Sequence, residues 1–301
     1  MIRIEFIKNK ILYYLKMIRI HQSVKNLLIF IPLLASHHLP ALTNIGFACI
    51  GFLSFSLLSS TVYIINDLHD LELDRKHEVK RNRPLASGNI STTTALLSIP
   101  LLLSLSLFLA SFLDFDFVCC LTVYFVATLL YSFVIKKIVL VDCIVLSVLY
   151  TLRIISGIIA IHGSFSLWLM TFSLFFFLSL AFIKRYAEIY NLKKTDNSGI
   201  PGRGYHVDDL YFVGNIAIAS GFVSIVLFSL YLKDPSVQEM LNNIYLTFCS
   251  LPILIYWISY MFLKVFRGEM GEDPVVFAIK DFNSLMSGFL FIIVFFLGGI
   301  I

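Results

Sequence analysis

Long apolar runs of about 16 to 26 residues, each closed by a short polar interval, recur along the whole chain. Nine are read, at about 25–40, 42–65, 93–112, 116–134, 138–160, 165–190, 208–232, 240–264 and 278–300. A helix needs about 20 residues to cross the hydrocarbon core of a bilayer, so each is long enough, the first marginally. The pattern predicts an all-α integral membrane protein of about nine transmembrane helices, folded as one domain over residues 1–301. With 58% hydrophobic and 14% charged residues, the composition departs from that of soluble domains in the same direction.

The polar intervals are not alike. If the nine runs cross in turn, all but two of the 23 Lys and Arg residues fall on the side that holds the N-terminus. The exceptions are Lys233, opposite, and Arg153, inside the fifth run. By the positive-inside rule this side is cytoplasmic and the C-terminus lies outside, as expected for a bacterial plasma membrane protein. Residues 1–20 carry Arg3, Lys8, Lys10, Lys16 and Arg19 among Ile, Leu, Phe and Tyr, the pattern of an amphipathic helix on the cytoplasmic face. The net charge of +4 reflects these loops and does not suggest nucleic acid. All five cysteines sit in apolar runs without metal-ligand spacing and read as small apolar fillers.

Ionisable residues are costly within a membrane and tend to mark function. They collect in two intervals, at 67–92 and 185–207. In the first, Tyr63, Asn66, Asp67, Asp70 and Asp74 fall within about 60° of one line if the second helix continues through them. Carboxylates so aligned repel one another unless a cation lies between them, and hard oxygen ligands suit Mg²⁺, which binds through a few carboxylates plus substrate phosphates. The basic residues that follow, with Lys80, Arg81 and Arg83 foremost, suit the remaining charge of a metal-bound diphosphate. Anionic lipid is the other ligand such a loop attracts. The second interval is cationic, with Lys184 and Arg185 followed by Glu188, Lys193, Lys194 and Arg203.

Smaller features add candidates. Tyr131 and Lys136 close the fourth run, where they could meet a phosphate or serve as interfacial anchors. Asp142 and Arg153, eleven residues apart on the fifth run, share a helix face but lie about 16 Å apart along it, so neither can be the other's partner. Glu272, Asp273 and Asp281 form a third acidic group, which helix capping at Asp273-Pro274 largely explains. The histidines, His37 and His38 among them, form no convincing metal or catalytic set.

An Asn-Asp-x-x-Asp-x-x-x-Asp motif after the second of nine helices, followed by Lys80-Arg-Asn-Arg-Pro-Leu-Ala-Ser-Gly88, resembles the UbiA superfamily of intramembrane prenyltransferases over almost the whole chain. The resemblance implies a helical bundle around a lipid-lined cavity with a cytoplasmic polar cap, and Mg²⁺ on the aspartates. Members usually carry a second aspartate-rich motif after helix six, where this chain has Lys184-Arg185-Tyr-Ala-Glu188. That departure is similar to one branch, the polyprenyl-phosphate phosphoribosyltransferases. So are Arg19-Ile-His-Gln-Ser-Val-Lys25-Asn26, Leu152-Arg153-Ile-Ile-Ser-Gly157 and Gly271-Glu-Asp-Pro274.

This branch implies a transferase that joins 5-phosphoribosyl diphosphate (PRPP) to a polyprenyl phosphate lipid in cell-envelope biosynthesis. On that expectation Asp67, Asp70 and Asp74 hold Mg²⁺, with Asn66 orienting the diphosphate. Lys80, Arg81 and Arg83 neutralise the leaving group. Lys184, Arg185, Tyr131 and Lys136 grip the ribose phosphate or the lipid phosphate, and Glu188 meets a sugar hydroxyl. Lys25, Asp142 and Arg153 are further candidates for substrate contact. The rival expectations are a conventional prenyltransferase acting on an aromatic acceptor in a quinone or haem pathway, and a non-enzymatic lipid carrier or transporter.

Overall fold

The computed structural model describes residues 2–35, 41–76, 79–193, 203–239, 241–271 and 273–300, except for the side chains of residues 2–9, 34–35, 236 and 300. His37, His38, Lys194, Gly202 and Glu272 lie outside the described residues. The chain is all-α. In order its helices are α1 (Ile2–Met17), α2 (Ile31–Ala35), α3 (Leu42–His69), α4 (Leu71–Lys76), α5 (Thr92–Ala110), α6 (Phe115–Phe133), α7 (Val141–Ala160), α8 (Leu167–Lys193), α9 (Leu210–Tyr231), α10 (Pro235–Gln238), α11 (Ile244–Phe248), α12 (Ser250–Phe266), α13 (Pro274–Lys280) and α14 (Phe282–Ile300). Among the described residues, eight helical segments have the length and apolarity to cross a membrane.

The first expected span takes a different form. Residues Ile20–Phe30 make a 3₁₀ helix, which the short α2 follows. Eleven residues rise about 22 Å as a 3₁₀ helix, against about 16 Å in α-helical form. This stretched segment climbs antiparallel to α3: Ser60 donates to the Ile18 carbonyl at 2.8 Å, and Asn26 donates to the Ser56 hydroxyl at 3.1 Å. Asn26 and Ile29, three residues apart, share the buried side of the segment, as the three-residue turn requires. A Cβ on Gly157 would collide with the Ile29 carbonyl, so only glycine allows this approach.

The expected single domain comprises two compact units. The first contains residues 1–31, 41–132 and 156–162. Its α3 and α5 are tied by reciprocal hydrogen bonds, Ser54 to the Ser106 carbonyl at 2.9 Å and Ser106 to the Ser54 carbonyl at 2.8 Å. Small polar residues of this kind let apolar helices approach closely where no water competes. The N-terminal helix has two apolar sides. Met17 enters the core with Ile64, Leu85, Ile90, Ala95 and Leu102, and Tyr13 and Tyr14 pack against it. Ile11, Leu12 and Leu15 are exposed on the other side.

The second unit contains residues 32–40, 133–155 and 163–301. Its main contact is α8 against α9, where Ser179 donates to the Ala217 carbonyl at 2.8 Å beside Gly221. The interval expected as a loop from residue 185 is helical to Lys193, because no Gly or Pro interrupts the chain between Gly163 and residue 199. Arg185 and Glu188 therefore stand on the last turns of α8.

Candidate active site

In the first unit, α3 carries Asn66 and Asp67 on its final turns and breaks at Asp70, where φ is −91° and ψ 8°. The chain resumes as α4, which presents Asp74. Asp67 and Asp74, seven residues or about two turns apart, still share a face and are both buried. Asp70 meets the His69 ring at 2.8 Å. The break at Asp70 separates α3 from α4. Asn66 is oriented by a 3.1 Å bond to the Ser132 hydroxyl.

Arg83 bridges the two buried acids. A single guanidinium nitrogen, Nη1, lies 3.1 Å from Asp67 Oδ1 and 2.5 Å from Asp74 Oδ2. Arg19 Nη2 lies 2.5 Å from the same Asp67 oxygen. The Arg19 guanidinium also lies over the Tyr63 ring, 4.9 Å from its centre, a cation–π contact. Its backbone is left-handed, with φ 52°. This conformation is costly for a side chain larger than glycine and turns the chain from α1 toward the acids. Lys80 and Arg81 are exposed on the same loop, and Lys25 is half-buried on the 3₁₀ segment.

Whether these residues suit a divalent cation turns on donor chemistry. Asp67, Asp74 and Asn66 supply only oxygen acceptors toward the cation, the set Mg²⁺ prefers. The Arg83 nitrogen already occupies the bridging position between the two carboxylates, so positive charge is stable there. The donors fit. Among the described residues, no three acidic, histidine or cysteine side chains gather closely enough to form a metal cage on their own. A cation here would need ligands from a substrate.

In the second unit, Asp142 and Arg185 are both fully buried and lie 2.5 Å apart. Arg185 also pairs with Glu188, one turn away on α8. Arg203 reaches Asp142 at 3.5 Å and Glu188 at 3.4 Å. The Tyr205 hydroxyl donates to Asp142 at 2.7 Å and accepts from the Leu140 backbone N–H at 2.8 Å. Burial raises the Tyr205 phenol above the ordinary tyrosine range, so it remains a donor at neutral pH. Two acids, two guanidiniums and a phenol thus tie the start of α7, the end of α8 and the segment before α9 together. Asp142 and Arg185 spend their charge on each other.

The remaining expected residues have separate settings. Arg153 donates to the Leu149 carbonyl at 2.8 Å and its guanidinium lies 5.1 Å from the Tyr150 ring centre. Lys136 lies in a 3₁₀ turn, Ile135–Lys137, and Tyr131 near the end of α6. Lys184 precedes Arg185 and is half-buried. Asp273 caps α13 through the Val275 and Val276 N–H groups, as its position before Pro274 implied. Sequence reasoning placed Arg19 in a branch motif and Arg203 in a cationic interval but named neither, nor Tyr205 or Ser132, as a site residue. Tyr205, an aromatic two residues after Arg203 in a basic interval, was the strongest available signal.

The model of the UbiA prenyltransferase family matches residues 27–261. Among relatives, a Sinorhizobium fredii protein designated y4nM is 38% identical over 92% of this chain and 54% of its own length. The nodulation protein NoeC of Azorhizobium caulinodans is 30% identical over 91% and 89%. The decaprenyl-phosphate phosphoribosyltransferase of Mycobacterium tuberculosis is 33% identical over 60% of this chain and 61% of that one. The chain thus spans about half the length of the first relative and about three fifths of the phosphoribosyltransferase. A solved UbiA homologue from Archaeoglobus fulgidus, bound to GPP and Mg²⁺, superposes with a TM-score of 0.65 at 18% identity, over 96% of this chain and all of that one.

Proposed function

Because the chain belongs to the UbiA prenyltransferase family, we propose that it transfers the 5-phosphoribosyl group of PRPP to a polyprenyl phosphate at the cytoplasmic face of a bacterial plasma membrane. The observation that carries this reading is the state of Asp142 and Glu188. Asp142 lies on α7, fully buried against Arg185, and the last turns of α8 carry Glu188 alone among Lys184, Arg185 and Lys193, so they hold no second pair of carboxylates for metal. Similarity to a decaprenyl-phosphate phosphoribosyltransferase supports the same choice.

On this reading Asp67, Asp74 and Asn66, with Asp70 nearby, would hold Mg²⁺ together with the diphosphate of PRPP. The ion supplies Lewis-acid stabilisation to the departing diphosphate. Arg83, Lys80 and Arg81 neutralise its remaining charge. A phosphate oxygen of the lipid attacks the anomeric carbon, the C1–O bond to diphosphate breaks, and diphosphate leaves with the bonding pair. That nucleophile is already anionic near neutral pH, so positioning and charge stabilisation carry the rate and no general base is required. Lys184, Lys136, Tyr131 and Lys25 are assigned to the phosphates that carry no metal. Arg185 holds Asp142 and Glu188, and in this role shapes the site without gripping substrate. Glu188 keeps an edge for a sugar hydroxyl, and Arg153 positions the α7 backbone.

A second reading, prenyl transfer from a prenyl diphosphate to an aromatic acceptor, draws on the Archaeoglobus homologue, which is bound to GPP and Mg²⁺. One experiment separates the two. Purified protein is incubated with Mg²⁺, PRPP labelled in the ribose and a short polyprenyl phosphate, beside a parallel reaction containing prenyl diphosphate and an aromatic acid. Label entering the lipid phase, and lost in Asp67→Asn, supports phosphoribosyl transfer. Prenylated acid with unlabelled lipid overturns it.

A further inference from the structure

The two arginines on the aspartates match the two acids charge for charge. Asp67 and Asp74 are 3% and 4% exposed, and carboxylates so buried must be neutralised. Arg83 touches both through one nitrogen but carries one positive charge, so it balances only one of the two acids. Arg19 supplies the second positive charge, at an Asp67 oxygen that Arg83 also contacts and from a left-handed backbone. A bare divalent cation approaching these acids meets two positive charges and must displace them. A diphosphate arriving with the cation changes the exchange, because its oxygens accept bidentate hydrogen bonds from the same guanidiniums. Both arginine side chains keep an open side from which to turn, at 22% and 30% exposure.

We propose that Arg19 and Arg83 form an internal counterion pair that closes the acids to a free divalent cation and yields them only to a cation bound to a diphosphate. The proposal rests on the metal-diphosphate part of the function above, and is indifferent to whether the diphosphate belongs to PRPP or to a prenyl chain. Metal and diphosphate then bind as a unit, each raising the other's affinity by the same factor. The acids are never left unpaired, because the counterions leave only as the replacement arrives.

Mn²⁺ stands in for Mg²⁺ in the test. Binding of Mn²⁺ alone to the detergent-purified chain is followed by electron paramagnetic resonance. Retention of radiolabelled inorganic diphosphate is measured separately, with and without Mn²⁺. Wild type should bind bare Mn²⁺ weakly and retain diphosphate only when Mn²⁺ is present. Arg83→Gln should bind bare Mn²⁺ at least tenfold tighter and retain Mn²⁺-diphosphate at least tenfold more weakly. Arg19→Gln should move both in the same directions and carries the test if Arg83→Gln does not fold. Adding Asp67→Asn to either should erase the gain in Mn²⁺ affinity. Bare Mn²⁺ bound no better by the arginine variants than by wild type would overturn the proposal. Neither PRPP nor lipid enters these measurements, so a failure of phosphoribosyl transfer is read separately from a failure of the counterion pair.

Discussion

Replacing Arg185 by methionine removes the partner of a carboxylate with no access to water. Asp142 and Arg185 are both fully buried, 2.5 Å apart. Breaking one side of such a pair costs about 3–5 kcal/mol, since the other charge stays buried and uncompensated. Arg203 at 3.5 Å and the Tyr205 hydroxyl at 2.7 Å still face Asp142, which places the loss toward the lower end of that range, about 3 kcal/mol. For a chain of this size that corresponds to a fall of roughly 6–10 °C in Tm. Removing both charges, in Asp142→Leu/Arg185→Met, should cost less than Arg185→Met alone, because no orphan charge is left. Thermal unfolding of the four proteins in one detergent, followed by tryptophan fluorescence or circular dichroism, gives the cycle. An Arg185→Met variant within about 1 kcal/mol of wild type, or a double variant worse than both single ones, would refute the reasoning.

Asp67→Asn and Asp74→Asn should each lower Mg²⁺-dependent turnover by about 10²-fold or more, measured as label transfer to lipid, and chelation of the metal should do the same to wild type. Tyr205→Phe should cost about 1–3 kcal/mol, because Asp142 loses a donor and the Leu140 N–H loses its acceptor. The raised Tyr205 phenol contributes stability that is fully present below the ordinary tyrosine value and lost as pH rises above it. The penalty of Tyr205→Phe should therefore be constant between about pH 6 and 9, as checked by melting at several pH values. Gly157→Ala should lower stability by about 1–3 kcal/mol through collision with the Ile29 carbonyl, whereas Gly46→Ala, with open space around it inside α3, should raise stability by about 0.5–1 kcal/mol in the same melting assay.

The long apolar runs were legible because membrane crossing demands about 20 apolar residues whatever the tertiary contacts. Expected spans such as 93–112 and 116–134 differ from α5 and α6 by one or two residues. The first span was not legible in its true form. Gln22, Ser23, Lys25 and Asn26 interrupt its apolar pattern, and a three-residue period is hard to separate from a helical one over eleven residues. Asp67 and Asp74 were legible from their seven-residue spacing, which survives the break at Asp70. Their arginine partners were not, since Arg19 and Arg83 reach them across 48 and 16 positions through turns that local pattern does not specify. Asp142 was recognised as an ionisable residue needing a partner, whereas Arg185 was expected to grip a phosphate. That they are each other's partner depends on the packing of α7 and α8, which sequence spacing does not encode.

The composition of the two clusters bears on the electrical life of a membrane protein. Asp67 and Asp74 face Arg19 and Arg83, while Asp142 and Glu188 face Arg185 and Arg203. Each cluster therefore sums to zero. A membrane potential works on an unbalanced charge by about 2.3 kcal/mol per 100 mV if that charge crosses the full field. On a neutral cluster it exerts no net force. Energising or collapsing the potential should thus leave both clusters in place.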